Sequence, residues 1–210
     1  MDYIIWDFNG TILDDVKAGI ESVNKLLRDR GIKEISGVAE YRSVFRFPIK
    51  GYYESIGFDF SKEPYEVVAP LWVEQYLKCV KKSTLFYDVV EALEYFKKKG
   101  TKQVILSATE RNMLLGQLSE LGISEYFEEI MGLDNIHAHS KEGLARDWRS
   151  RHKGARALLI GDTDHDACVA ASIDAECALV CRGHQSKEYL EGTGAKIFED
   201  LKQLRMGLFD

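Results

Sequence analysis

Four short apolar runs along the chain are typical of buried β-strands. They occupy residues 3–6, 103–106, 157–160 and 178–180. Each run is too short for a globular helix, lacks strict alternation and is followed by polar or glycine-containing sequence. Such runs are expected for the strands of a parallel sheet that is covered on both faces. A fifth strand is predicted at residues 195–198, before a short C-terminal helix.

Helical patterns separate these strands. The apolar positions from Val89 to Phe96 lead into Gly100, and those from Met113 to Leu121 lead into Gly122. Glycine is a favourable stop for a helix because it readily adopts a left-handed conformation. Strands that alternate with helices predict an α/β fold, a doubly wound parallel sheet with right-handed crossovers.

Residues 15–84 depart from that alternation. They contain helical patterns at 16–30, 36–45, 49–56 and 64–82, without a convincing strand between them. The simplest interpretation is an all-helical cap domain, residues 15–84, inserted after the first strand of an α/β core domain, residues 1–14 and 85–210. A chain of 210 residues is long enough for both.

Composition narrows the classes of partner. The net charge of −6 provides no basic field for nucleic acid or an anionic membrane surface. No apolar run approaches the length of a membrane span, and no signal peptide is evident. Four cysteines without paired spacing indicate buried free thiols in a reducing cytoplasm. We therefore expect a cytoplasmic protein whose anionic ligands are attracted by local positive groups, while its oligomeric state stays open.

Polar residues follow three of the predicted strands. The segments are Asp7-Phe8-Asn9-Gly10-Thr11, Ser107-Ala108-Thr109 and, after the third strand, residues 161–166; Ser140-Lys141 precede that strand. Ligands of open parallel sheets bind at the carboxyl ends of strands. These segments are therefore the candidate site.

The chemistry of this set suits a phosphate ester. Asp7 and Asp162 offer carboxylates to a hard cation such as Mg²⁺. Lys141 and Ser107 would neutralise and hydrogen-bond phosphate oxygens. An ionised Asp7 can attack phosphorus, and Gly10 would allow the backbone to approach the phosphate closely.

In this order, DFNGT, LSATE, SK and GDTDHD resemble the four motifs of the haloacid dehalogenase superfamily. The helical insertion lies where phosphoglycolate-phosphatase-like members carry a cap. The resemblance implies Mg²⁺-dependent hydrolysis of a small phosphorylated metabolite through an aspartyl-phosphate on Asp7. It also implies that Ser107 and Lys141 bind the phosphate. The remaining implied residues are Asp162, Asp166 and the backbone carbonyl of Asn9 at the metal, and Gly10, Thr11 and Ala108 around the substrate.

Asn9 departs from the superfamily pattern, which has an acid–base aspartate at this position. An amide does not titrate near pH 7, so proton transfer to the leaving group is in doubt, while the carbonyl remains available to the metal. Three hypotheses follow. The protein is a phosphatase that uses good leaving groups or another acid, such as His165 or Glu110; or Asn9, which precedes Gly10, deamidates to aspartate; or the site binds phosphate and Mg²⁺ with little turnover.

Two other stretches are ambiguous. Phe45-Arg46-Phe47-Pro48 suits either a loop facing the cleft, with Arg46 on the distal part of the substrate, or a packing turn within the cap. His137 and His139 lack an evident third ligand, which favours a loop over a zinc site.

Two other protein classes fit less well. A response-regulator receiver does not carry its phospho-acceptor on the first strand, nor a helical insertion there. A Rossmann dinucleotide domain needs a glycine-rich G-x-G-x-x-G segment after the first strand, and none follows Trp6.

Overall fold

The computed structural model describes residues 1–134 and 140–209. His137 and His139, for which a loop was predicted, lie outside the described residues. Within those residues, no helix combines the length and apolar character needed to cross a membrane.

The centre of the molecule is a parallel β-sheet. Within the described residues it has six strands: β1 (Tyr3–Trp6), β4 (Lys102–Glu110), β5 (Glu129–Leu133), β6 (Ala157–Gly161), β7 (Glu176–Val180) and β8 (Lys196–Phe198). Their spatial order is β5-β4-β1-β6-β7-β8. The first strand lies in the middle, between β4 and β6, because the later crossovers extend the sheet in both directions from it.

Helices cover both faces of the sheet. They are α5 (Val89–Lys98), α6 (Arg111–Glu120), α7 (Glu142–Arg151), α8 (Asp164–Ser172), α9 (Lys187–Leu190) and α10 (Leu201–Leu208). Alternate side chains of β1 enter different apolar clusters: Ile4 and Trp6 pack with residues of α5, α6 and α10, whereas Tyr3 and Ile5 pack with residues of α7 and α8. Successive strand residues point to opposite faces, so a strand buried on both sides is apolar throughout. The predicted doubly wound sheet is confirmed.

Four α-helices lie between β1 and α5 in the sequence. They are α1 (Val16–Asp29), α2 (Val38–Val44), α3 (Ile49–Ser55) and α4 (Tyr65–Cys79). Apart from Ala18, their buried apolar side chains from Val16 to Ala69 form a cluster separate from those of the sheet. The end of α4 behaves differently, because Tyr76 and the following Val80 pack into the sheet's own cluster. This packing agrees with a helical cap at about residues 15–84, a boundary that stays a prediction.

The two connections to the cap pair with each other. Strand β2 (Leu13–Asp14) lies antiparallel to β3 (Thr84–Leu85), with Leu13 opposite Leu85 and Asp14 opposite Thr84. The sequence did not indicate this ribbon because two residues carry no periodicity. It brings the two ends of the cap together.

Several local predictions need correction. Strand β5 was not predicted, since Glu129 and Gly132 interrupt its apolar pattern. Strand β4 extends beyond Leu106 to Glu110, with a shift in its register against β5 along that stretch. All four cysteines are free, but only Cys181 is buried: Cys79 and Cys177 are half-buried, and the expectation that the thiols are buried is wrong for Cys168, which is exposed.

Candidate active site

Sheet order places the predicted site residues next to one another. Because β1 lies between β4 and β6, the residues at the carboxyl ends of these three strands share one edge. Asp7 follows β1, Ser107 lies in the last part of β4, and Asp162 follows β6. All three side chains are buried.

Three carboxylates meet at this edge. Asp7, Asp162 and Asp166 each present an oxygen within 4.8 Å of the others'. Oxygen donors at such separations are the ligands that hard divalent cations prefer. These three side chains therefore fit a divalent metal ion. Asp166 is a direct member of the cluster.

Lys141 is the counter-charge of the cluster. Its ammonium forms ion pairs with Asp7 and, at 2.6 Å, with Asp166, and it donates to the Leu106 carbonyl at 3.1 Å. Burial lowers the pKa of Lys141, but the attraction of Asp166 and Asp7 outweighs this and holds the pKa above its usual value. Lys141 is therefore positively charged at neutral pH.

Asp166 is fixed by the start of α8. Its carboxylate accepts hydrogen bonds from the Thr163 hydroxyl at 2.7 Å and from the amides of Thr163 and Asp162 at 3.0 and 3.2 Å. Thr163 and Asp166 form a capping box, which pairs the free amides of a helix N-terminus with side-chain oxygens. A side chain at Gly161 would overlap Asp166, so glycine is required at the end of β6.

The negative charges are only partly balanced. Burial, helped by the neighbouring carboxylates of Asp166 and Asp162, outweighs the opposing charge of Lys141 and raises the pKa of Asp7 to about 8. Burial likewise raises the pKa of Asp162 to about 6. Positive charge in addition to that of Lys141, such as that of a bound cation, would therefore favour the ionised form of Asp7.

Gly10 and Thr11 shape the floor of the cluster. Gly10 has a φ of +72°, and a Cβ there would overlap Asp162 and lie 2.5 Å from the His184 ring. Glycine is thus required by this backbone conformation and by these neighbours. The Thr11 hydroxyl donates to Asp162 at 3.2 Å and lies 3.5 Å from Asp7.

Asn9 is held on both ends of its amide. Its Nδ2 donates to Asp15 at 2.9 Å and to the Tyr76 hydroxyl at 2.7 Å, and its Oδ1 accepts from the Thr109 hydroxyl at 2.7 Å. The Gly10 amide, which would have to attack Asn9 in deamidation, donates instead to Asp15 and to the Leu13 carbonyl. These contacts oppose deamidation in the folded protein.

A second ion pair, which the sequence interpretation missed, adjoins the carboxylates. His184 contacts Asp15 at 3.3 Å and the Tyr41 hydroxyl at 2.9 Å, and its backbone amide donates to Asp162 at 2.6 Å. Burial lowers the pKa of His184, but Asp15 raises it to about 9 overall. Burial raises the pKa of Asp15, but the charge of His184 and the hydrogen bonds to Asp15 outweigh burial and lower this pKa overall. His184 closely follows β7, so its position after the carboxyl end of a strand was the sequence signal that could have identified it as a site residue.

A cavity of about 150 Å³ opens above these groups. Asp7, Asn9, Ser107, Ala108 and Lys141 line one end of it. The cap contributes aromatic and aliphatic side chains: Tyr41, Phe45, Phe47, Ile49, Tyr52, Tyr53, Tyr65, Ala69, Trp72, Val73 and Tyr76. The candidate site therefore lies between the sheet edge and the helical insertion.

Arg46 does not line this cavity. Its guanidinium lies 3.4 Å from the centre of the Tyr189 ring and donates to the carbonyls of Arg42, Ser43 and Phe45. This arrangement does not support the predicted contact of Arg46 with the distal part of a substrate, because its guanidinium already contacts the Tyr189 ring and three backbone carbonyls. Its neighbours Phe45 and Phe47 do reach the cavity.

Two predicted substitute acids also line the cavity. Glu110 caps α6, and hydrogen bonds from the amides of Asn112 and Met113 lower its pKa. Its carboxylate is therefore ionised and has no proton to give at neutral pH. His165 stacks on Phe47 with ring centres 4.5 Å apart, and burial lowers its pKa. The buried Nε2 of His165 has no hydrogen-bond partner among the described residues.

A parallel sheet with a strand-end aspartate, an acidic cluster and a buried lysine defines a hydrolase-type α/β site. The model of the haloacid dehalogenase-like hydrolases matches residues 4–180, and the chain belongs to this family. The resemblance seen in the four sequence motifs is confirmed.

Relatives and solved structures agree with this assignment. The chain is 21% identical over 213 residues to phosphoglycolate phosphatase 1 of Pseudomonas aeruginosa, covering 96% of this chain and 77% of the relative. It is 25% identical over 191 residues to a phosphoglycolate phosphatase of Aquifex aeolicus, covering 88% and 86%. A haloacid dehalogenase-like hydrolase from Streptococcus pneumoniae has a similar fold, with a TM-score of 0.82, 18% identity and coverage of 99% and 98%.

Proposed function

We propose that this protein is a Mg²⁺-dependent phosphatase that hydrolyses small phosphate monoesters through an aspartyl-phosphate on Asp7. The observation that supports this best is the position of Asp7. Its buried carboxylate lies at one end of a cavity, beside the Lys141 ammonium and within 4.8 Å of the carboxylate oxygens of Asp162 and Asp166. The phosphatases among the relatives agree with the proposal.

The proposed reaction has two displacements at phosphorus. An Asp7 oxygen forms a bond to phosphorus while the bond to the ester oxygen breaks, and the ester oxygen leaves with the bonding electrons. Water then attacks the same phosphorus, and the bond to Asp7 breaks to release inorganic phosphate and restore the carboxylate. Asp7, Asp162, Asp166 and the Asn9 carbonyl would hold Mg²⁺, which balances charge on Asp7 and the phosphate oxygens when bound.

Lys141 and Ser107 would bind the transferred phosphate group. Both line the cavity beside Asp7, and both are buried. An ammonium in a site that excludes water stabilises developing negative charge more strongly than one at the surface. Lys141 would therefore exchange part of its contact with Asp7 for contacts with phosphate oxygens.

Proton supply is the weak step of the proposed reaction. The Asn9 amide cannot donate a proton to the ester oxygen, and Glu110 is held ionised. Positioned acid–base catalysis is worth about 10²–10⁴-fold in rate. Esters whose oxygen leaves readily without a proton are therefore the preferred substrates.

The nucleophile assignment is tested with p-nitrophenyl phosphate and Mg²⁺. We expect Asp7→Asn to reduce kcat at least about 10³-fold, because the variant lacks the attacking oxygen. Asp14→Asn, an exposed carboxylate on β2, is the matched control and should retain normal turnover. Full activity of Asp7→Asn would refute the proposal. Wild-type protein that binds phosphate with Mg²⁺ but turns over no ester would instead indicate a binding or sensor role.

A further inference from the structure

The cap side of the cavity is mainly apolar, although it includes tyrosine hydroxyls, of which that of Tyr52 has no hydrogen-bond partner among the described residues. Phe45, Phe47, Tyr52, Trp72 and Val73 are among its walls, and Met113 of α6 completes the surface opposite. The hydroxyls of Tyr41 and Tyr76 are already hydrogen-bonded, to His184 and Asp15. A ligand group beyond the phosphate would therefore contact mainly rings and aliphatic carbon, surfaces that favour an apolar or aromatic group.

The same wall lacks a cation for a second anionic group. Among the lining residues that the cap contributes in the described part of the chain, there is no lysine or arginine. Arg46, the nearest sequence candidate, is stacked on Tyr189 outside the cavity. Asp15 and the ionised Glu110 also line the cavity, and the charge of His184 there is already paired with Asp15, so a second carboxylate would lie near negative charge without a free cation among these side chains. Burial of a carboxylate without a partner is costly.

The cavity volume limits the organic group to a small one. At about 150 Å³, it matches the size of an apolar protein cavity that admits a single benzene ring. A nucleoside, a sugar chain or a long acyl group does not fit this space. The phosphate takes up part of the same space, so one small ring is the upper limit for the organic group.

The amide at position 9 is an independent observation that favours an aryl oxygen. A phenolate leaves from phosphorus without prior protonation far more readily than an alkoxide, because the phenol is the stronger acid. Hydrogen bonds to Asp15, Tyr76 and Thr109 hold the Asn9 amide in one position in the site. A site without an acid at this position matches a substrate that does not need one.

We infer that the site takes a small aryl phosphomonoester, the phosphate ester of a single-ring phenol, in preference to a phosphorylated carboxylic acid. The ring would lie between Phe47 and Trp72, and the phosphate beside Asp7 and Lys141. This inference rests on the proposed phosphatase activity and specifies its substrate class. It differs from the substrate in the relatives' names, phosphoglycolate, which carries a carboxylate and an alkoxide leaving group.

Turnover of four esters with Mg²⁺ tests the inference. Phenyl phosphate has a ring and a phenolate, benzyl phosphate a ring and an alkoxide, cyclohexyl phosphate an apolar alkoxide, and 2-phosphoglycolate an anionic alkoxide. We expect kcat/KM for phenyl phosphate to exceed that for 2-phosphoglycolate by at least about 10²-fold, the lower end of what a missing acid costs. Equal or greater kcat/KM for 2-phosphoglycolate would overturn the inference and leave the phosphatase proposal intact.

Binding to Asp7→Asn separates recognition from chemistry. By calorimetry with Mg²⁺, this variant should bind phenyl phosphate at least about tenfold more tightly than 2-phosphoglycolate, since each 1.4 kcal/mol of differential contact is tenfold. If none of the four esters is hydrolysed by wild-type protein but this preference is present, the phosphatase proposal fails and aryl recognition holds. Equal affinities would overturn the inference whatever the turnover.

A cavity variant tests the position of the ring. Trp72→Ala should raise KM for phenyl phosphate at least about tenfold, because stacking on an aromatic wall is lost, and change KM for 2-phosphoglycolate less than about threefold. Val67→Ala, on the exposed face of the same helix, is the matched control and should change neither. If Trp72→Ala disrupts folding, Trp72→Leu provides the same comparison with a smaller loss of volume. Equal changes for both esters would contradict the placement of the ring.

Discussion

At the scale of single residues, the site depends on contacts that fix side chains whose chemistry the sequence already showed. Asp7 and Lys141 were identified from their motifs, and the structure adds their ion pair. Asn9 was identified as a departure, and the structure adds three partners that hold its amide. The partners come from residues 6, 67 and 100 positions away. No local pattern indicates such contacts.

Asn9→Asp should restore the missing acid. The new carboxylate would lie opposite Asp15, now 2.9 Å from the amide nitrogen, and repulsion between two close carboxylates raises the pKa of one of them. A protonated aspartate would then donate its proton to the ester oxygen as this oxygen leaves. We expect turnover of benzyl phosphate to rise about 10²–10⁴-fold and that of p-nitrophenyl phosphate less than about tenfold, measured by steady-state kinetics. Equal gains for both esters, or a gain in Asn112→Asp as well, would contradict this role.

Gly10→Ala should disturb the carboxylate cluster as well as the turn. Gly10 and Gly100 have nearly the same backbone, with φ of +72° and +71°, but a Cβ at Gly10 overlaps Asp162 while a Cβ at Gly100 meets nothing within 4 Å. Both variants incur backbone strain, and only Gly10→Ala adds overpacking, which costs about 1–3 kcal/mol. Urea unfolding should show that difference. Equal losses of stability would mean that the neighbours move aside.

At the scale of elements, the cap is attached to the sheet edge by α4 and by the paired strands β2 and β3. Tyr76, near the end of α4, donates to Asp15 at 2.6 Å and accepts from Asn9 at 2.7 Å. Asp15 itself lies between β2 and α1, where the chain enters the cap. The hydrogen bonds therefore join the start of the insertion to its end, directly over the site.

Tyr76→Phe should loosen this attachment. Loss of a buried hydrogen bond to a charged group costs about 1–3 kcal/mol, so we expect a decrease of that size in the free energy of unfolding. Tyr52→Phe is the matched control: both side chains are 3% exposed, but the Tyr52 hydroxyl is buried without a partner among the described residues. Its removal should leave stability unchanged or improve it, as measured by chemical denaturation. A similar loss in both variants would argue against a specific role of the Tyr76 hydroxyl.

At the scale of the whole molecule, buried negative charge links metal binding to stability. In the described part of the chain, three carboxylates share one edge of the sheet with Lys141, and burial raises the pKa of Asp7 and Asp162. A ligand that binds the folded protein and not the unfolded chain stabilises the fold by an amount that rises with the logarithm of its concentration relative to Kd. Bound Mg²⁺ should therefore stabilise the entire chain.

Added Mg²⁺ should raise the melting temperature. At about 100 times Kd, one such ligand contributes about 2.7 kcal/mol. The increase should disappear in Asp162→Asn, which loses a charged ligand, and persist in Asp14→Asn, where the exposed carboxylate lies outside the cluster. Differential scanning calorimetry with and without EDTA measures both. An undiminished increase in Asp162→Asn would show that the ion binds elsewhere.

The sequence by itself determined the order of the main elements and the residues with the chemistry. Apolar runs at 3–6 and 157–160, and the polar residues after them, are local patterns, and local patterns persist in the fold because both faces of each strand are buried. The four motifs indicated Asp7, Ser107, Lys141 and Asp162 for the same reason. The site roles of these residues remain predictions.

Only the tertiary structure decided which distant side chains meet. It paired His184 with Asp15, turned Arg46 toward Tyr189, and enclosed the site with rings from the cap. Strand β5 and the β2–β3 ribbon also emerged only there, since mixed or two-residue segments are defined by their partners and not by periodicity. Side-chain direction and burial depend on packing between residues far apart in the chain, and these two quantities determine the shape and charge of the cavity.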